Sequence, residues 1–95
     1  MIGEYISLFR AGLREQLAKL KANEHKKGWD KISIDYGVMR LQQELNELYE
    51  VVYMRDKMSY IEWLQLIKGE SADIANFAHM IIYVCEEEIR IKKND

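Results

Sequence analysis

Glu70-Ser71-Ala72-Asp73-Ile74-Ala75-Asn76-Phe77-Ala78-His79-Met80-Ile81-Ile82-Tyr83-Val84-Cys85 is the stretch that decides the fold. From Ala72 to Cys85 it is apolar nearly all the way round a helix, and the chain contains no proline to interrupt it. A helix without a polar face is buried on all sides, so this segment predicts the centre of a helical bundle. Its polar exceptions, Asp73, Asn76 and His79, are therefore its informative residues. Asp73 in particular is a carboxylate that burial penalises unless something compensates it.

Upstream, the pattern remains helical. Ile2, Tyr5, Ile6, Phe9, Leu13, Leu17 and Leu20 recur at helical spacing, with Arg10, Arg14, Lys19 and Lys21 mostly outside the stripe. The segment His25-Lys26-Lys27-Gly28-Trp29-Asp30 breaks that pattern and reads as a loop. Ser33 is the expected N-cap of a second helix over about residues 34–55, with Asp35 near its positive end. Ser59-Tyr60-Ile61-Glu62 matches a capping box and predicts a short third helix ending near Lys68, with Gly69 as its C′ residue. The fourth helix then runs from about Glu70 to Lys92, and the charged tail from Glu86 to Asp95 is expected to fray. The expectation is an all-α bundle of about four helices, a single domain over residues 1–95.

A chain this short buries only about 60–70 % of its unfolded surface. Yet 48 % of its residues are hydrophobic, and the excess apolar surface predicts self-association, a dimer at least. A net charge of −2 and a pI of about 5.7 give no electrostatic footprint for a polynucleotide. Cys85 is the single cysteine, which excludes an intrachain disulfide; a thiol in an apolar helix reads as a small buried hydrophobe. With no signal peptide and no apolar run of the ~18–20 residues a span requires, the expected location is cytoplasmic, away from membranes.

The chemistry lies in two acidic motifs, Glu44-Leu45-Asn46-Glu47 and Glu70-Ser71-Ala72-Asp73. Carboxylates three residues apart share one helix face. Two such helices packed together direct four carboxylates at one spot, and hard divalent cations are the usual compensation. The second helix carries its apolar stripe on Val38, Leu41, Leu45, Leu48 and Val52. At about 100° per residue, Glu44 falls about 80° from the stripe centre and Glu47 about 140° from it. Glu44 thus borders the apolar face, Glu47 lies farther round, and Glu50 sits almost opposite, in solvent. The competing reading is structural: an ion pair of the buried carboxylate with Arg40 or Lys68, or helix capping by Glu70. Neither His25 nor His79 follows a glutamate by three, which excludes the Glu-x-x-His pattern of ferritin-like centres. Zinc lacks a Cys/His cluster here. All-oxygen ligation points to Mg2+ or Mn2+. No nucleophile elbow, P-loop or dinucleotide fingerprint is present, so a metal-activated water is the natural nucleophile and a nucleoside triphosphate the natural ligand.

The order Glu44-x-x-Glu47 then Glu70-x-x-Asp73 resembles the signature of the MazG-type, all-α nucleoside triphosphate pyrophosphohydrolases. The surrounding strings extend it: Lys27-Gly28-Trp29 upstream, Leu41-Gln42-Gln43-Glu44-Leu45-Asn46-Glu47-Leu48 in the middle, and Glu70-Ser71-Ala72-Asp73-Ile74-Ala75-Asn76-Phe77 downstream. The last string looks most like the small, single-domain members found in phages and archaea, and the resemblance spans about residues 24–85. It implies hydrolysis of an NTP or dNTP between the α- and β-phosphates, giving a monophosphate and pyrophosphate. Carried over, Glu44, Glu47, Glu70 and Asp73 would be the catalytic Mg2+ ligands, Asn76 a sugar or phosphate contact, Lys27 a phosphate contact and Trp29 a base-stacking surface. Many members carry a double glutamate where Gln43 precedes Glu44 here; the E-x-x-E pair itself is intact. The family is typically dimeric or tetrameric, so a MazG-like bundle completed as a homodimer or homotetramer is the expectation. Its role would be control of a deoxynucleotide pool or removal of noncanonical nucleotides. The alternative is a non-catalytic helical module of the same fold that binds nucleotides or a protein partner. A third reading, a purely structural oligomerisation bundle, predicts no response to metal. Phe9, Trp29 and Tyr36 are candidate stacking groups, in a pocket expected between the first two helices and their loop.

Overall fold

A computed structural model describes residues 2–24 and 28–94 and shows an all-helical chain. Its long helices are α1 (Ile2–Ala22), α2 (Ile34–Val52) and α3 (Tyr60–Lys93). Short 3-10 turns at Trp29–Lys31 and Arg55–Lys57 join them. Ser33 caps α2, its Oγ accepting from the Tyr36 amide at 3.1 Å, and Ser59 caps α3, accepting from the Glu62 amide at 3.2 Å. The extended backbone of both serines is what lets the hydroxyl turn back onto the first helical turn. No helix among the described residues is long and apolar enough to cross a membrane.

Three helices replace the expected four. The chain does not stop at Gly69: residues 60–93 form one helix of 34 residues. Glycine inside a helix costs roughly 1 kcal/mol relative to alanine, which local signals read as a terminus. Here the missing Cβ is occupied from outside. A methyl group on Gly69 would stand 3.1 Å from Cε and 3.3 Å from Nζ of Lys19, so the glycine leaves room for the end of that side chain against α3. The expected fraying of the tail is also overturned. The helix continues to Lys93, with Arg90 donating to Glu87 one turn back at 2.8 Å and basic residues near its negative end.

α2 and α3 form an antiparallel hairpin. Gly37 lies against Ile81, Arg40 over Phe77, and Val51 receives the Trp63 indole N–H on its carbonyl at 3.0 Å. That register sets Glu44 and Glu47 opposite Glu70 and Asp73. Gly37 is required by contact: a Cβ there would sit 2.8 Å from Ile81 Cγ1 and 3.3 Å from Ile32 Cδ1. Gly37→Val is expected to destabilise the fold by about 2–3 kcal/mol through overpacking. Thermal denaturation checks this; an unchanged melting temperature would contradict the close α2–α3 approach.

α1 crosses α3 through a polar hub. Gln16 Nε2 donates to Asn76 Oδ1 at 3.2 Å and lies 2.6 Å from His79 Nδ1, while Asn76 Nδ2 donates to the Gln16 carbonyl at 3.1 Å. The hub takes the place of an apolar core. Among the described residues the buried hydrophobic side chains are Val51 and Ala72, against buried Gln16, Glu44 and Asn76. The α3 segment expected to be covered on every side is not covered within one chain, for Ile82 is 57 % exposed and Cys85 only half-buried. α1 turns Leu8 and Phe9 outward at 63 % and 68 % exposure.

Candidate metal centre

The α2–α3 register gathers the carboxylates. One oxygen from each of Glu44, Glu47 and Glu70 lies within 4.8 Å of the others. Glu44 is buried, Glu70 half-buried and Glu47 exposed, matching the angular order of Glu44 and Glu47 around the α2 stripe. Asp73 stands near enough to act electrostatically on both Glu44 and Glu70, although it is not among the three clustered oxygens. Glu50 is exposed, as expected.

The electrostatics are those of a site short of positive charge. Oε2 of Glu44 and Oε2 of Glu70 are both buried with no hydrogen-bond partner. Burial, followed by the nearby Glu47 and Asp73 carboxylates, raises the Glu44 pKa to about 7 against a weaker opposing pull from Arg40. Burial likewise raises the Glu70 pKa, reinforced by Glu47 and Asp73 and opposed by Lys19. A proton must therefore enter the cluster at Glu44 near neutral pH unless another cation does.

Two side-chain cations flank it. Arg40 Nη2 donates to Glu44 Oε1 at 2.8 Å, while its other terminal nitrogen donates to Gln43 and the guanidinium carbon sits 5.0 Å from the Phe77 ring centroid. Lys19 Nζ lies 3.5 Å from Asp73 Oδ2. The ion pairs expected for the buried carboxylates are thus redistributed: Arg40 serves Glu44, Lys19 serves Asp73, and Lys68 pairs with Glu15 at 3.1 Å. These pairs leave Glu44 Oε2, Glu47 and Glu70 facing one another.

Of the remaining candidates, Asn76 is buried and its carboxamide is committed to Gln16. Trp29 packs edge-on against Tyr83, with ring centroids 5.3 Å apart, yet stays 47 % exposed. It anchors the turn and still presents an aromatic surface. Lys27 and His25 lie outside the described residues. Phe9 and Tyr36 are exposed. The grooves seen run between α1 and α3, rather than between the first two helices. Arg40 is the anticipated ion-pair partner, here of Glu44, whereas the roles of Lys19 and Gln16 are not evident from local sequence. Gln16 carried a signal, a polar residue set inside the Leu13–Leu17–Leu20 stripe and matching the polar exceptions of the facing helix. Comparison with protein-family models, with curated proteins and with solved structures finds no match for this chain.

Proposed function

We propose that this protein is a magnesium-dependent nucleoside triphosphate pyrophosphohydrolase of MazG-like type. The observation that carries the reading is the cluster of Glu44, Glu47 and Glu70 with two buried, unpartnered carboxylate oxygens at its centre. Buried polar atoms are satisfied in native proteins, and a carboxylate can only accept. Two such atoms facing other carboxylates fit a hard cation, which compensates charge that a proton would otherwise have to neutralise. Asp73, which acts electrostatically on Glu44 and Glu70, would be the fourth donor once released from Lys19.

In that reading Glu44, Glu47, Glu70 and Asp73 hold Mg2+ or Mn2+. A bound ion of this kind neutralises triphosphate charge and lowers the pKa of water. Glu47, the exposed member, is the carboxylate that incoming water can reach. It would accept the proton as the water oxygen bonds to the α-phosphorus and the bond from that phosphorus to the α,β-bridging oxygen breaks, releasing pyrophosphate and leaving the hydroxyl oxygen on the monophosphate. Arg40 keeps Glu44 oriented through its ion pair and its seat on Phe77. The exposed part of Trp29 offers a stacking surface to a base, tolerant of base identity. The chain acts as a homodimer or homotetramer, because one copy leaves its apolar helix faces uncovered.

Hydrolysis in water enriched in the heavy oxygen isotope tests the assignment. Label in the nucleoside monophosphate, with unlabelled pyrophosphate, is expected. Release of orthophosphate and a nucleoside diphosphate would refute it.

A further inference from the structure

Beside the carboxylate cluster, on the α1 side of α3, lies an open groove of about 300 Å3. It is lined by Glu15, Lys19, Lys68, Gly69 and Glu70, with Gln65 and Leu66 along the wall. Glu70 belongs to both the groove and the cluster, so the two adjoin. The groove is at the small end of ligand pockets, which run about 300–1,000 Å3, a size suited to part of a nucleotide.

We propose that this groove is a diphosphate subsite, with Lys19 and Lys68 as its donors and Gly69 as its floor. The inference rests on reading the carboxylate cluster as a cation site. Three observations support it. The end of Lys19 lies against Gly69, where an added Cβ would stand 3.1 Å from its Cε and 3.3 Å from its Nζ. Both lysines enter from opposite walls, one from α1 and one from α3. Their carboxylate pairs are held loosely against solvent: Lys19 lies 3.5 Å from Asp73, the fourth donor in the proposed cation site, and Lys68, paired with Glu15 at 3.1 Å, has a side chain 57 % exposed. Without a bound cation the charges of Glu15, Lys19, Lys68 and Glu70 cancel. With Glu70 and Asp73 compensated, Lys19 is free and the groove becomes net positive. Anion binding there is accordingly conditional on the cation, and the ligand is the diphosphate of free pyrophosphate or the β- and γ-phosphates of a triphosphate.

The test is calorimetric titration of inorganic pyrophosphate into the full chain with and without Mn2+, beside Mn2+ binding followed by electron paramagnetic resonance. The expected result is pyrophosphate binding that requires Mn2+ and weakens about tenfold or more in Lys19→Met and in Lys68→Met, with Mn2+ still bound. Gly69→Ala is the control for folding. It improves helix propensity and displaces only the flexible end of Lys19, so it is expected to fold at least as well and still to weaken pyrophosphate. Competition by an α,β-imido nucleoside triphosphate assigns the groove to nucleotide phosphates; pyrophosphate binding that this analogue leaves intact assigns it to the free product. Intact Mn2+ binding with pyrophosphate affinity unchanged in both lysine variants overturns the subsite alone. Absence of Mn2+ binding overturns the cation site and the subsite with it.

Discussion

Glu44→Gln is expected to stabilise the metal-free protein above neutral pH and to reduce metal-dependent hydrolysis by at least about 100-fold. Opposite signs follow from one cause. Glu44 has its pKa raised to about 7, first by burial and then by Glu47 and Asp73. An acid with a folded pKa above its unfolded value near 4.5 binds its proton more tightly when folded. Its contribution to stability is therefore fully present below about pH 4.5 and is lost as pH rises to about 7. After discounting for screening, the loss is on the order of 2 kcal/mol. In chelator, the wild-type melting temperature should fall by roughly 5–10 °C between pH 5 and pH 8. Glutamine keeps an oxygen for Arg40 and supplies an amide to the facing carboxylates, so the variant should show little of this fall. The same change removes a charge from the cation site. Magnesium should raise the wild-type melting temperature at pH 8, by about 2.7 kcal/mol of stability at a hundredfold excess over Kd, and leave Glu44→Gln nearly unmoved. A variant less stable than wild type at pH 8 in chelator would show that Glu44 is not strained there.

The folded chain is expected to be a dimer or tetramer with a melting temperature that depends on protein concentration. Its accessible surface is 7678 Å2, whereas a folded monomer of its mass exposes about 5,700 Å2. The difference, about 2,000 Å2 per chain, exceeds the roughly 800 Å2 per partner of a standard interface and falls in the range of obligate dimers. The composition of the buried set agrees, since Val51 and Ala72 are too little apolar core for a chain of this length. Light scattering at micromolar concentration should give at least twice the 11.3 kDa chain mass. A hundredfold dilution should lower the melting temperature by about 5–10 °C. A monomer whose melting temperature is independent of concentration would contradict this.

Most of the fold is legible from local signals. The stripe from Ile2 to Leu20 and the caps Ser33 and Ser59 place the helix starts and the end of α1. The order of Glu44 and Glu47 about α2 follows from angular position alone, and the structure keeps it. What local signals misread was decided by packing. Gly69 resembles a helix end until Lys19 is seen lying across it. Asn76 and His79 stand out as polar residues in an apolar helix, but their partner Gln16 is 60 residues or more away in sequence. Lys19 looks like a solvated charge outside the α1 stripe, and only the placement of α1 against α3 brings it to Asp73, whereas Arg40 reaches Glu44 one turn along its own helix. Helical spacing identifies which residues share a face; it carries no information on which face meets which.

The most direct measurement is pyrophosphate release from a panel of canonical and modified NTPs and dNTPs, with magnesium and with chelator, for wild type and Glu47→Ala. Release that requires magnesium and is lost in Glu47→Ala is expected, with that variant still folded and oligomeric. No release from any substrate by folded, oligomeric wild-type protein would contradict it and leave a nucleotide-binding helical module in its place.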